Sequence, residues 1–109
     1  MMETLKREKD FARLFEKGQR VSSGPLRLFF YRREEGPVRV CFAGRSKKAV
    51  RRNRIRRRLR EAFRVHYYPT WKDKPFDLFF LGEESVASVD FASLVLWMGE
   101  LLERVERNG

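Results

Sequence analysis

The stretch KKAVRRNRIRRRLREAFR, residues 47–64, decides how this chain is read. Eleven of its eighteen residues carry charge, yet Val50, Ile55, Leu59, Ala62 and Phe63 are apolar. At about 100° per residue, Ile55, Leu59, Ala62, Phe63 and His66 fall on one side of a helix. That stripe is wide enough to dock on a sheet. Arg56, Arg60, Asn53, Arg64 and Arg57 follow one another around the other side, and Arg54 and Arg58 close the circle. Arg52, Arg56 and Arg60 form one ridge beside the stripe, because residues four apart are neighbours on a helix. The spacing predicts a helix anchored by one face and cationic on the other.

The charge is concentrated rather than spread. From Arg45 to Arg64 there are eleven Lys or Arg and one acid, Glu61. The remaining residues hold fourteen bases and fourteen acids, so the whole net charge of +10 lies in this segment. A solvated surface mixes its signs. Charge gathered this way repels itself unless a polyanion relieves it, and nucleic acid is the usual one. Arginine outnumbers lysine here, and its fork grips phosphate through two hydrogen bonds and stacks on bases. Asn53, between Arg52 and Arg54, is suited to reading a 2′-hydroxyl or to holding a neighbouring arginine in place.

Outward from the helix, the chain reads as a single α+β domain over residues 1–109. Thr4 is placed to cap a first helix running to about Lys17, with Leu5, Phe11, Leu14 and Phe15 apolar and Gly18 after its end. SSGP (22–25) is a turn, with a weakly signalled pairing segment near Arg20 to Ser22. LRLFFYRR (26–33) and VRVCFAG (38–44) read as strands of a hairpin-like pair around REEGP (33–37). The basic helix runs to about Tyr67, where Pro69 ends it. TWKDKP (70–75) is a loop, FDLFFL (76–81) a strand and GEES (82–85) a turn. Ser88 or Asp90 caps a last helix bearing Phe91, Leu94, Val95, Met98, Leu101, Leu102 and Val105 at helical spacing, with Leu96 and Trp97 off its stripe.

Period-two alternation splits the two strands into faces. Leu28, Phe30, Val38, Val40 and Phe42 make one purely apolar face, which should lie under helices. Arg27, Phe29, Tyr31, Arg39, Cys41 and Ala43 make the other. Such a mixture accepts single-stranded nucleic acid by stacking, or Phe29 and Tyr31 are covered by the first helix as a second small core. Alternation by itself leaves both open.

Several chemistries are excluded by composition. One cysteine, Cys41, rules out an internal disulfide and a Cys-rich zinc site, and is most simply a packed strand residue. His66, the only histidine, sits on the packing stripe and is expected at the core or its boundary. Glu34–Glu35 and Glu83–Glu84 fall in turns, where paired acids are solvated. No HExxH, P-loop or GxGxxG occurs. MMETLKREKD has no apolar signal core, and no run approaches the roughly 20 apolar residues of a membrane span. A cytoplasmic, non-catalytic chain is expected, with no metal ligands of its own.

Segment 49–63, AVRRNRIRRRLREAF, resembles the signature helix of the bacterial ribonuclease P protein subunit, AV-x-RNR-x-(K/R)-R-x-x-R-x-x-F. Ala49, Val50, Arg52, Asn53, Arg54, Arg56, Arg57, Arg60 and Phe63 meet every position. The likeness extends upstream through LKREKDFARLFEKGQRV and both strands, about two thirds of the chain in register, and weakens after Pro69. GRSKKAV departs from it, being about two residues shorter than the usual S-K-(K/R)-x-x-G-x-A-V entry to the helix.

The resemblance implies an α-β-β-β-α-β-α sandwich like domain 2 of ribosomal protein S5, with a left-handed β-α-β crossover against the general rule. It implies an accessory subunit of an endoribonuclease whose catalyst is an RNA that needs Mg²⁺. Its partners are that RNA and precursor tRNA, with neither DNA nor membrane. Carried over by position, the RNA-facing set is Arg52, Asn53, Arg54, Arg56, Arg57 and Arg60, and the charge of Arg45, Lys47, Lys48 and Arg51 beside them suits phosphate. The cleft for the single-stranded 5′ leader takes Phe11, Phe15 and Phe29, with Arg27 and Tyr31 on the same sheet face. The match at Phe29, a position often Tyr in relatives, turns the mixed sheet face toward binding. Two other readings stand beside this one. A ribosomal RNA-binding protein fits the composition but not the RNR register, and a membrane or acidic-partner helix needs its apolar face free.

Overall fold

In the computed structural model, which describes residues 2–108, the basic segment is one helix, α2 (Ala49–His66). Around it lie β1 (Glu3–Thr4), α1 (Glu8–Lys17), β2 (Gln19–Ser23), β3 (Leu26–Arg32) and β4 (Arg39–Gly44). After α2 come a short α3 (Tyr68–Trp71), β5 (Phe76–Gly82), a 3₁₀ turn (Glu84–Ala87) and α4 (Phe91–Asn108). The strands form one mixed sheet in the order β1-β4-β5-β3-β2.

β3 and β4 are not a hairpin. β5 lies between them, antiparallel to β3 and parallel to β4. Its sequence explains the place: Leu78 and Phe80 are buried on one face and Asp77 on the other, which suits a central strand flanked on both sides. Arg33 to Val38 need only cross one intervening strand, about 10 Å. The hairpin is instead β2–β3, turned at Gly24, whose positive φ of 55° suits glycine. The weakly signalled Arg20–Ser22 segment is thus the middle of a full edge strand.

Thr4 does not cap the first helix. Glu3 and Thr4 pair with Arg39 and Val40, and Leu5 N–H donates to Val40 O (3.1 Å), so α1 begins only at Glu8. Pro69 does not stop all helical structure either. It sits in the first turn of α3, where a missing N–H costs nothing.

One core holds the fold together. The inner sheet face, with Leu28, Phe30, Val40, Phe42, Leu78 and Phe80, packs on α2 and α4. Ile55, Leu59, Ala62 and Phe63 of α2 are all fully buried, each large side chain contributing on the order of 1.5–3 kcal/mol. α2 approaches the sheet over a glycine pair. Gly44 and Gly82 are register partners, and an added Cβ would stand 2.7 Å from Ile55 Cβ at the first and 2.8 Å from Ile55 Cγ2 at the second. Only glycine lets Ile55 come this close.

Two residues at the ends of α2 stay out of the core. Val50 is 79% exposed because, five residues before Ile55, it points about 140° away from the packing stripe. His66 is exposed because the helix outruns its last core residue, Phe63, and the imidazole rests 6.2 Å from the Phe91 ring.

Candidate nucleic-acid interface

Core burial of the α2 stripe turns its arginines outward, but not all of them stay free. Arg54 Nε donates to Ala87 O (2.6 Å) and Arg58 Nη1 to Val86 O (2.6 Å), fastening α2 to the 3₁₀ turn. Arg51 pairs with Glu84 (3.3 Å), Arg45 with Glu83 (3.1 Å) and Arg64 with Glu61 (2.6 Å). Arg52 Nη1 donates to Ser46 O (2.9 Å), closing the short entry loop on the helix. Arg56 Nη2 donates to Asn53 Oδ1 (3.2 Å), so Asn53 holds a neighbouring arginine. Among the described residues, the side chains of Lys47, Lys48, Arg57 and Arg60 have no ion-pair or hydrogen-bond partner.

Arg56, Arg57 and Arg60 also line a cavity of about 450 Å³ with Thr4, Cys41 and Phe42. It opens where β1 stops pairing with β4 after Val40, leaving the edge of β4 from Cys41 onward without a strand partner. Burial pushes the Cys41 thiol up from its ordinary range, a backbone hydrogen bond and the nearby Arg56 charge opposing it. The first turn of α2 contains no acid. Basic side chains there meet the positive end of the helix dipole, an arrangement that an anion relieves.

The second surface lies on the other sheet face, under α1. Cross-strand register sets side chains in rows: Arg27–Leu81–Ala43, Phe29–Phe79–Cys41 and Tyr31–Asp77–Arg39. α1 lays Phe11 and Phe15 on the middle row. Phe15 meets Phe29 at 5.2 Å and Phe79 at 5.8 Å, both edge-on, and Phe11 meets Phe79 at 6.0 Å. Phe15 is still 53% exposed, so the cluster has an open rim rather than a sealed core. Arg27 stands one row away, paired loosely with Glu83 (3.8 Å).

Tyr31 does not join this cluster. It lies across α1 from the phenylalanines, under the Arg13 guanidinium, 5.1 Å from it. Phe79 of β5 belongs to the cluster as well. The alternation in FDLFFL, which puts Asp77, Phe79 and Leu81 on one face, is the signal that finds it.

Beneath α1 is an ionic network that no motif announced. Asp77, fully buried, accepts from Arg39 through Nε (2.8 Å) and Nη2 (2.9 Å). Asp10, 3% exposed, accepts from Arg39 Nη1 (3.1 Å) and Arg13 Nη2 (2.9 Å). Arg13 Nη2 is 3.6 Å from Asp77, and Arg33 Nε lies 2.9 Å from Asp77 Oδ1. That last contact is an attraction of charges rather than a hydrogen bond, since Arg33 Nε is not aligned on an acceptor. Arg39 is held above its ordinary pKa, chiefly by its hydrogen bonds to Asp77.

No group of three or more His, Cys, Asp or Glu able to hold a metal ion occurs among the described residues. No described helix is long and apolar enough to cross a membrane.

Known proteins share these features. The solved RNase P protein from Thermotoga maritima superposes with a TM-score of 0.78 at 26% identity, covering 94% of this chain and 96% of that one. The Staphylococcus aureus RNase P protein has the same fold, with a TM-score of 0.77 at 21% identity. The ribonuclease P protein component of Pelotomaculum thermopropionicum is 31% identical over 113 residues, covering 99% of this chain and 96% of that protein. That of Gluconacetobacter diazotrophicus is 34% identical over 111 residues. The sequence profile described as Ribonuclease P matches residues 2–106. With near full-length matches of this kind, the chain belongs to the ribonuclease P protein family.

Proposed function

We propose that this chain is the accessory subunit of ribonuclease P, an endoribonuclease that removes the 5′ leader from precursor tRNA in the cytoplasm. In this reading the catalytic RNA binds along the exposed side of α2, and the single-stranded leader lies in the cleft between α1 and the sheet. Hydrolysis belongs to the RNA and its Mg²⁺. Among the described residues no three His, Cys, Asp or Glu side chains gather to hold a metal ion, so no step is assigned to a metal they would hold.

The observation that carries the proposal is the placement of charge. The entire excess of +10 lies in residues 45–64, and among the described residues the side chains of Lys47, Lys48, Arg57 and Arg60 have no partner. α2 cannot turn this face inward, because Ile55, Leu59 and Phe63 already commit the opposite one. Arginine forks at such a face bind phosphates and release their counterions, which makes affinity fall steeply with salt. In the cleft, Phe15 offers a half-open ring on which a base can stack beside Phe29 and Phe79. A ribosomal protein is not favoured by a family match across residues 2–106.

The test is cleavage of precursor tRNA by a bacterial ribonuclease P RNA at low Mg²⁺, with and without this protein. Added protein should raise the rate and the affinity for leader-bearing substrate. No gain over RNA alone would overturn the proposal.

A further inference from the structure

α1 forms one wall of the cleft, yet it is lightly attached. Of its ten residues only Leu14 and Asp10 are buried, and its N-terminus, at Arg7, has no side-chain cap. One of its two buried anchors is therefore a carboxylate. Asp10 is tied to Arg39 on β4, Arg39 is forked onto Asp77 on β5, and Arg13 returns from α1 to both acids. Arg33 adds a third guanidinium beside Asp77. A helix held chiefly by greasy contact can slide or roll, whereas a fork between planar ions fixes both distance and direction. The network lies on the flank of α1 opposite Phe11 and Phe15, since residue 13 does not share their face.

We infer that Asp10 and Asp77 are positioning residues for substrate binding: through Arg39 they set the height and roll of α1, and so the opening between Phe15 and the Phe29–Phe79 row. Neither acid touches the leader. The inference rests on the reading of this cleft as the leader site. Asp77 also serves the fold, because three guanidiniums converge on its fully buried carboxylate. Asp10, at the margin of the network, separates positioning from folding.

The experiment uses the holoenzyme reconstituted with Asp10→Asn, Asp10→Glu or Phe15→Ala protein. It measures affinity for precursor tRNA with a leader of several nucleotides and for mature tRNA. Asp10→Asn should lower the precursor-to-mature affinity ratio by about five- to tenfold, part of the value of one stacked base. Affinity for the catalytic RNA should be unchanged, amide exchange should quicken in residues 8–17 alone, and Asp10→Glu should restore most of the ratio. A simple loss of stability would instead weaken catalytic-RNA and tRNA binding together and leave the ratio alone. An unchanged ratio for Asp10→Asn, with the ratio lowered by Phe15→Ala, overturns the positioning role and leaves the cleft standing. An unchanged ratio for Phe15→Ala overturns both.

Discussion

Arg54 and Arg60 belong to the same basic run and look interchangeable in it, but their surroundings differ. Arg54 Nε is spent on the Ala87 carbonyl, whereas Arg60 meets no partner among the described residues. Arg54→Ala should therefore cost stability, about 1.5–3 kcal/mol for a charge-assisted hydrogen bond, read from urea unfolding. Arg60→Ala should leave stability nearly unchanged and lower the salt slope of RNA binding by about one. The same slope change is expected for Arg56→Ala, whose one intramolecular bond is to exposed Asn53. An unchanged slope would remove either residue from the phosphate contacts. In the cleft, Phe15→Ala should weaken leader-bearing precursor more than mature tRNA by roughly 1–3 kcal/mol. Equal losses for the two ligands would make Phe15 a packing residue only.

At the scale of elements, the seat of α2 is set by backbone rather than by side chains. Gly82→Ala would drive a methyl to 2.8 Å from Ile55 Cγ2, 3.1 Å from Val86 Cγ2 and 3.2 Å from Leu59 Cδ1. Overpacking of this kind costs about 1–3 kcal/mol. It should also weaken RNA binding by lifting the arginine face; thermal unfolding reads the first loss and the salt-dependent affinity for RNA the second. α4 starts with a titratable cap. Asp90 accepts from Ser93 N–H (3.1 Å) and Ser93 Oγ–H (2.9 Å), which holds its carboxyl below the ordinary range. A lowered folded pKa means the cap's contribution is full above the ordinary carboxylate range and is lost as pH falls through the folded value. The pH dependence of unfolding between neutral and acid should flatten slightly in Asp90→Ala, and an identical profile would show the cap to be idle.

For the whole molecule, two sides of one sheet divide the work. The inner face and α2 make the core and push charge outward, while the outer face and α1 make an aromatic cleft braced by buried ions. Local sequence was enough for much of this. Helical spacing of Ile55, Leu59 and Phe63 predicts which side of α2 is buried, and alternation in LRLFFYRR and VRVCFAG predicts both strand faces, because side-chain direction follows from backbone period alone. The RNR register names the family from fifteen residues. What the sequence could not settle was decided by partners distant along the chain. β5 separates β3 from β4, Glu3 and Thr4 leave the first helix for the sheet, and Asp77 gathers arginines from α1, β4 and the loop after β3. Whether an arginine stays free or binds an inward carbonyl is likewise a matter of which loop folds against it. Period determines direction residue by residue; pairing and charge neutralisation depend on what the fold brings within a few ångströms, and only the tertiary structure decides that.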